Sequence, residues 1–312
     1  MKLSLIIPIY NEEESVDILY NEIKEALKGL ALDYEIIAVN DGSRDKSIDV
    51  LKRIAQSDID FKVISFRRNY GQTAAISAGI DFSQGEIIIP LDADLQNDPA
   101  DIKKLISKLN EGFDVVSGWR KNRQDTFDRR LPSQIANWLI SRITGVNLHD
   151  YGCTLKAYRK EIIKGIRFYG EMHRFMPAYV VWQGGKVAEI EVNHRERKYG
   201  KAKYGLTRTF RVILDLMTVK FLMAYLTKPM HFFGRMGLIL LLFGFLSGIG
   251  SLIAKFIYGI SFILTPLPLL TVFLTIIGFQ FILMGLLAEI LIRIYYESGG
   301  KTAYNIKEKI NL

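Results

Sequence analysis

The sequence predicts an α/β fold, a mostly parallel sheet flanked by helices, followed by an amphipathic interface helix and two transmembrane helices. Three observations carry this. Short β-branched runs alternate with helix-spaced segments from Leu3 to Gly118. The formal net charge of +8 sits wholly in Asn193–Arg235, where ten Lys/Arg face two Asp/Glu. Met236–Ala254 and Phe256–Ala288 contain no charged residue.

Leu3–Ile9 is an apolar, β-branched run of the kind a buried strand needs. Glu14–Leu30 has helical spacing. Tyr34–Asn40 is a second strand, ending at Asp41-Gly42-Ser43, a turn-forming set. Asp45–Ser57 is a second helix and Phe61–Phe66 a third strand. Gln72–Phe82 is a helix rich in small residues. Glu86–Leu91 is a fourth strand, ending at Asp92-Ala93-Asp94. Pro99 opens a helix through Asn110, where its missing N–H is harmless. Phe113–Gly118 is another strand, and Asn147–His149 a strand or turn.

Leu206, Phe210, Ile213, Leu214, Met217 and Phe221 share one helical face, with Arg208, Arg211 and Asp215 opposite. Such a helix lies in a membrane surface or packs on the head domain. Two spans follow, roughly Phe233–Tyr258 and Leu267–Ile292, broken at Pro266 and Pro268. The competing reading is a buried pair of core helices. Basic residues flank the pair, while only Lys255 is charged between the spans, so the positive-inside rule sets both termini in the cytoplasm. The run Leu3–Ile9 is too short for a signal peptide. The expected domains are 1–205 (cytoplasmic head), 206–232 (interface helix), 233–296 (two-span membrane domain) and 297–312 (cytoplasmic tail). With 49% apolar and 24% charged residues the chain is not disordered, and one cysteine excludes a disulfide scaffold or multi-cysteine cluster.

In such sheets ligands bind beyond the carboxyl ends of the strands. Asn11-Glu12, Asp41-Gly42-Ser43 and Asp92-Ala93-Asp94 all fall there. The chain has no G-x-G-x-x-G after its first strand and no P-loop, which counts against a dinucleotide oxidoreductase or P-loop ATPase. Asp92 and Asp94 can hold a hard divalent cation through oxygen, with Gln96 adding another oxygen. The alternative is that they cap the next helix, a role Asn97 and Asp98 already serve. Asp58-Ile59-Asp60 has the same spacing but lies between a helix and a strand start.

Pro8-Ile9-Tyr10-Asn11-Glu12-Glu13, Val39-Asn40-Asp41-Gly42-Ser43, Arg68-Asn69-Tyr70-Gly71-Gln72 and Leu91-Asp92-Ala93-Asp94-Leu95-Gln96-Asn97-Asp98-Pro99 resemble the inverting family-2 glycosyltransferases of GT-A fold. His149-Asp150-Tyr151-Gly152-Cys153-Thr154-Leu155-Lys156-Ala157-Tyr158 and Arg197-Lys198-Tyr199-Gly200-Lys201-Ala202-Lys203-Tyr204-Gly205 resemble the polyprenyl-phosphate branch. That branch includes dolichyl-phosphate mannose synthase and bacterial undecaprenyl-phosphate sugar transferases. The ordered series is specific; each piece alone is weak. Ala202 departs from the pattern, where Ser is more usual.

The resemblance implies a nucleotide-sugar donor, a polyprenyl-phosphate acceptor, membrane lipid as a partner and Mg²⁺ or Mn²⁺ as cofactor, with no nucleic acid. Pro8, Tyr10, Glu12 and Asp41 would hold the nucleoside. Asp92, with Ala93, would sit at ribose and sugar, and Asp94 and Gln96 would hold the metal against the diphosphate. Asp150 matches the catalytic aspartate, joined by Asp92; it either orients the reactants or is an ordinary turn residue. UDP-glucose is the first-choice donor, with GDP-mannose or a UDP-amino-arabinose derivative as alternatives.

The nucleophile that the resemblance implies is a phosphate anion, so alignment and stabilisation of the leaving diphosphate would matter more than deprotonation. Candidates to hold the acceptor phosphate are Arg120, Arg129, Arg130, Arg174, Arg195, Arg197, Lys198, Lys201 and Lys203. The same basic loop could instead meet anionic lipid. Cys153 reads as packing, and the four histidines as structural, with His173 alone a candidate for acceptor contact. Trp119, Trp138 and Trp182 read as core or interfacial. Gly244 and Gly248 offer a close helix contact, leaving a homo-oligomer open. Competing functions are a processive polysaccharide synthase and a catalytically silent nucleotide-binding scaffold. The first lacks its Q-x-x-R-W motif, since Gln183 is followed by Gly-Gly-Lys. The intact series Asp41, Asp92, Asp94 and Asp150 speaks against the second.

Overall fold

The computed structural model describes residues 2–30, 32–121, 137, 140–142, 144–164, 172–196, 229–297 and 304–312. They fall in two compact units, Met1–Lys220 with Thr302–Leu312, and Phe221–Lys301.

The first unit carries strands β1 (Lys2–Ile9), β2 (Asp33–Asn40), β3 (Phe61–Phe66), β4 (Ile87–Pro90), β5 (Val115–Trp119), β6 (Lys156–Arg159), β7 (Val187–Glu191) and β8 (Ile306–Ile310). Its helices are α1 (Val16–Leu27), α2 (Ser47–Ser57), α3 (Gln72–Phe82), α4 (Ile102–Leu109), α5 (Lys160–Ile163) and α6 (Met176–Trp182). The strands form one sheet in the order β7-β5-β6-β4-β1-β2-β3-β8. β1–β2, β2–β3, β1–β4 and β5–β7 pair parallel, whereas β4–β6, β5–β6 and β3–β8 pair antiparallel. Among the described strands, β6 and β8 alone run against the rest, so the sheet is mostly parallel.

Strand order reverses direction between β1 and β4, because β2 lies on one side of β1 and β4 on the other. This is the switch point where ligands enter an open α/β sheet. Proline widens it. β1 pairs with β4 only as far as Ile6↔Pro90, so Pro8 lies where that ladder has ended and its missing N–H costs nothing. At the opposite end of the strands, buried Glu35 accepts from Ser4 Oγ (2.5 Å), Lys62 Nζ (2.6 Å) and the amides of Gln84 and Gly85. The pairing with Lys62 satisfies a charge that could not stand alone in the sheet interior.

Several boundaries move. α1 starts at Val16 because Glu12–Ser15 form a turn, with the Glu12 carbonyl accepting from both Ser15 and Val16. The helix expected from Pro99 to Asn110 is a 3₁₀ turn, Pro99–Asp101, running into α4, and Asp98 caps it by accepting from Ala100 N (3.0 Å). Residues 147–149 form no strand: the amides of His149 and Asp150 donate to the Glu189 carboxylate instead of to a neighbouring strand.

The largest difference follows the hairpin. Residues 304–312, read from sequence as part of a tail, belong to the sheet of the first unit. β8 pairs antiparallel with β3, from Val63↔Ile310 to Phe66↔Ile306. Its alternating sequence, Ile306-Lys307-Glu308-Lys309-Ile310, suits an edge strand with one face on the core.

The second unit is a helical hairpin, α7 (Pro229–Phe256) and α8 (Leu267–Glu297), both long and apolar enough to cross a membrane. Pro268 does not break α8; it sits in the first turn. Leu238, Phe245, Leu269 and Leu291 are among many exposed apolar side chains, which is the reverse of a soluble core pair. Gly244 and Gly248 face the partner helix of the same chain. A Cβ at Gly244 would lie 3.0 Å from Thr275 Oγ1, and one at Gly248 3.3 Å from the Thr271 methyl. Their close contact is therefore made within the hairpin.

Candidate active site

The carboxyl ends of β1, β2 and β4 carry the first cluster. The loops after β1 and β2 are joined side chain to backbone. Asn11 N–H donates to Ser43 Oγ (3.0 Å), Arg44 N–H to Asn11 Oδ1 (2.8 Å) and Glu12 N–H to Ser47 Oγ (2.9 Å). Asn11 adopts φ 52°, a conformation asparagine tolerates better than most residues. Asp41 follows β2 directly and is buried. Its two carboxylate oxygens accept from the amides of Tyr70 (2.6 Å) and Gly71 (2.9 Å). Burial raises the Asp41 carboxyl above its usual range, against the pull of those amides. Gly42 has φ +65°, and a Cβ there would lie 2.7 Å from Asn69 N, so the turn presses against the loop that grips Asp41.

After β4, Asp92 accepts from Gln72 Nε2 at 2.7 Å. Burial first, and then the charge of Asp94, push the Asp92 carboxyl up to about 6; Thr154, Arg120 and Lys156 pull the other way. Asp94 accepts from the Gln96 amide (3.1 Å). Two carboxylates one residue apart, one of them reluctant to ionise, form a donor set that suits a divalent cation.

β5 ends and β6 begins at this same edge, because β6 runs antiparallel. Arg120 and Asp150 therefore meet although thirty residues separate them. Arg120 donates bidentately to Asp150, Nε to Oδ2 at 2.7 Å and Nη2 to Oδ1 at 3.0 Å. Burial disfavours the Arg120 charge, but Asp150 outweighs this and raises its proton affinity. Gly152 N–H also donates to Asp150 (3.1 Å). Glu189 on β7 fixes the preceding backbone, accepting from the amides of His149 and Asp150 and pairing with His149 Nδ1 at 2.7 Å. Lys156 is buried beneath the loop, donating to the carbonyls of Tyr151 and Cys153, and burial lowers its proton affinity. Arg174 approaches Gly152, its Nη1 3.9 Å from where a Cβ would stand.

The comparisons bear directly on this edge. The model of glycosyl transferase family 2 matches residues 4–167. A dodecaprenyl-phosphate galacturonate synthase of Rhizobium johnstonii is 43% identical, over 99% of this chain and 93% of that protein. The chain belongs to glycosyl transferase family 2. An undecaprenyl-phosphate 4-deoxy-4-formamido-L-arabinose transferase of Photorhabdus laumondii is 38% identical, over 99% of this chain and 94% of that protein. Among solved structures, glucosyl-3-phosphoglycerate synthase from Mycobacterium tuberculosis, crystallised with Mn²⁺, UDP and phosphoglyceric acid, superposes with a TM-score of 0.55 at 18% identity, covering 70% of this chain and 78% of that one. That likeness establishes the GT-A fold.

Within this family 2 fold, Pro8, Tyr10, Glu12, Asp41, Asp92, Ala93, Asp94 and Gln96 all lie at or just beyond the carboxyl ends of β1, β2 and β4. Arg120, Asp150 and Arg174 lie at the adjacent ends of β5 and β6. Arg195 follows β7 and is held between Glu22 (2.7 Å) and Asp98 (2.8 Å), so carboxylates occupy a guanidinium expected to meet the acceptor. His173 bonds Thr73 through Nδ1 at 2.6 Å. Cys153 is buried, and burial pushes its thiol up to about 11, which makes it a poor nucleophile. Asp58 pairs with Lys24 and Tyr20, a structural use of the second D-x-D. Arg129, Arg130, Arg197, Lys198, Lys201, Lys203 and Leu206–Tyr225 lie outside the described residues.

The sequence reading missed Gln72, Thr154, Lys156 and Glu189. Gln72, Thr154 and Lys156 stand inside motifs already quoted, and a count of buried polar partners for Asp92 and Asp150 would have raised them. Glu189 carries no local signal, since it meets Asp150 only through strand pairing.

Proposed function

We propose that the chain transfers a sugar from a nucleotide-sugar donor to polyprenyl phosphate, with inversion, at the cytoplasmic face of a membrane. A phosphate oxygen of the lipid forms the new bond to the sugar's anomeric carbon as the bond to the nucleoside diphosphate breaks. Pro8, Tyr10, Glu12 and Asp41 hold the nucleoside, and Asp92 with Ala93 lies at ribose and sugar. Asp94 and Gln96, beside Asp92, would hold Mg²⁺ or Mn²⁺. When bound, the cation neutralises charge on the departing diphosphate. The attacking oxygen is already anionic, and Asp150 is committed to Arg120, so Asp150 acts by orientation rather than by taking a proton. Arg174, with Arg129, Arg197, Lys198 and Lys203, supplies positive charge to the lipid phosphate.

The observation that carries this reading is the alignment of two named polyprenyl-phosphate sugar transferases along 99% of the chain, hairpin and β8 included. The sugars named in those relatives move the donor away from UDP-glucose, the first expectation. A UDP-uronic acid comes first and a UDP-4-amino-arabinose derivative second. The segments before and after the hairpin in the chain belong to one unit, which agrees with an even number of crossings, and the basic flanks are the reason for taking that side as cytoplasmic.

The test is a donor screen with full-length protein in lipid, undecaprenyl phosphate and Mg²⁺ or Mn²⁺. Radiolabelled UDP-galacturonate, UDP-4-formamido-arabinose, UDP-glucose and GDP-mannose are compared by label in the organic phase. Metal-dependent lipid label from a UDP-uronic acid is the expected result. Nucleotide binding without lipid label from any donor would sink the transferase reading in favour of a silent scaffold.

A further inference from the structure

The segment that returns from the hairpin does more than close the sheet edge. Tyr304, buried just before β8, stacks on Phe66, the last residue of β3, with ring centroids 5.1 Å apart and planes inclined by 17°. Its hydroxyl donates to Asp81 Oδ2 on α3 at 2.7 Å. The next residue's carbonyl, of Asn305, accepts from Arg67 N–H at 3.1 Å. Residues 67–71 form the loop between β3 and α3, so Tyr304 and Asn305 fasten the stem that leaves β3, and Tyr304 also ties down the far end of the helix that the loop enters.

That loop is the one that holds Asp41. Phe66 meets Tyr70 edge-on at 5.6 Å, and the Tyr70 and Gly71 amides donate to the two Asp41 oxygens. Arg68 lies 4.5 Å over the Tyr70 ring. The first residue of α3, Gln72, donates to Asp92. A loop whose first stem is fixed and whose following helix is anchored has fewer conformations to lose when a ligand orders it.

We infer that Tyr304 is a positioning residue for the donor nucleotide, acting through Phe66 and α3 on the loop that grips Asp41. This rests on the assignment of Asp41 to the nucleoside. It makes donor affinity depend on a residue that lies beyond the hairpin in the chain and touches no substrate.

The test uses the full-length chain in lipid nanodiscs and measures binding of UDP and GDP by calorimetry, with donor and acceptor kinetics alongside. Tyr304→Ala should weaken nucleotide binding and raise the donor KM by about tenfold, with kcat and the acceptor KM within about twofold. Tyr304→Phe keeps the stack, loses only the bond to Asp81, and should shift affinity by about threefold. Asn311→Ala is the control. Its side chain donates to the carbonyls of Ala55, Asp58 and Phe61 at the other end of β8. It should lower Tm and leave affinity unchanged. Wild-type nucleotide affinity in Tyr304→Ala overturns the inference alone, as does an equal loss in Asn311→Ala, which would make the effect a general consequence of a loosened edge. Should Tyr304→Ala not fold, Tyr304→Phe against Asn311→Ala decides. Failure of the wild-type chain to bind either nucleotide overturns the Asp41 assignment and the inference with it.

Discussion

The loops beyond β1 and β2 and those beyond β5, β6 and β7 share one sheet edge but are held by different means. On the first side the ties are largely neutral and short in reach: Ser43 and Ser47 accept from backbone amides, and two amides grip Asp41. On the second side the ties include charge pairs, Arg120 with Asp150 and Arg195 with Glu22 and Asp98, and the Glu189 carboxylate accepting from the His149 and Asp150 amides. Asp92 and Asp94 lie at the seam. A pocket for a defined nucleoside gains from fixed amides and hydroxyls. A region that admits a lipid phosphate needs positive charge, and paired charges keep it in place until an anion competes for it. The contrast teaches that one edge can be pre-organised in two ways, one indifferent to salt and the other responsive to it.

The largest effects are expected at the seam. Asp94→Ala should lower kcat by at least about a thousandfold in the lipid-label assay, because charge on the leaving diphosphate loses its partner. Metal-free UDP binding should survive, since the neutral side is untouched. Comparable losses of both would break the division. Next, Asp150→Asn strips the Arg120 guanidinium of its bidentate partner. Turnover should fall by about a hundredfold or more, with nucleotide affinity retained. Near-normal turnover would remove Asp150 from the mechanism.

The pH profile sharpens the seam further. Asp92 titrates near 6 in the fold against 3.8 for the free side chain. Its neutral form is therefore the better tolerated one without metal. That contribution is fully present below about pH 4 and is lost as pH rises through 6. It amounts to on the order of 3 kcal/mol. In chelator, melts from pH 4.5 to 7 should show this loss in wild type and not in Asp92→Asn. Activity with metal should run the opposite way, falling below about pH 6 as protons displace the cation. The smallest effect belongs to Arg195→Gln. Its half-exposed pairs should contribute only about 0–1 kcal/mol to Tm-derived stability, shrinking with added salt.

Much of this was legible in sequence, and the reasons are local. β1, β2 and β4 are continuous β-branched runs followed at once by polar clusters, so strand, turn and site residue come together within ten positions. The order Asp41, Asp92, Asp94 then lands on one edge by topology. The charge-paired side was harder. β6 is four residues, Lys-Ala-Tyr-Arg, with no apolar run to announce it. The partners Arg120, Asp150 and Glu189 are brought together by the antiparallel β5–β6 and parallel β5–β7 pairings, which no short window reveals. The half-charged β8 reads as a solvated tail until its neighbour β3 is known.

The position of β8 also bears on how the chain is born. Both helices of the hairpin are synthesised before it, and until it arrives β3 offers an unpaired row of amides and carbonyls. For spans that cross a bilayer, closing that row requires that the two cross together, so that the chain returns to the side of β3. One missed crossing would leave β8 on the far side and β3 open to the next chain. A mistake of topology inside the lipid would thus surface as an uncovered strand in water, where chaperones and proteases can read it.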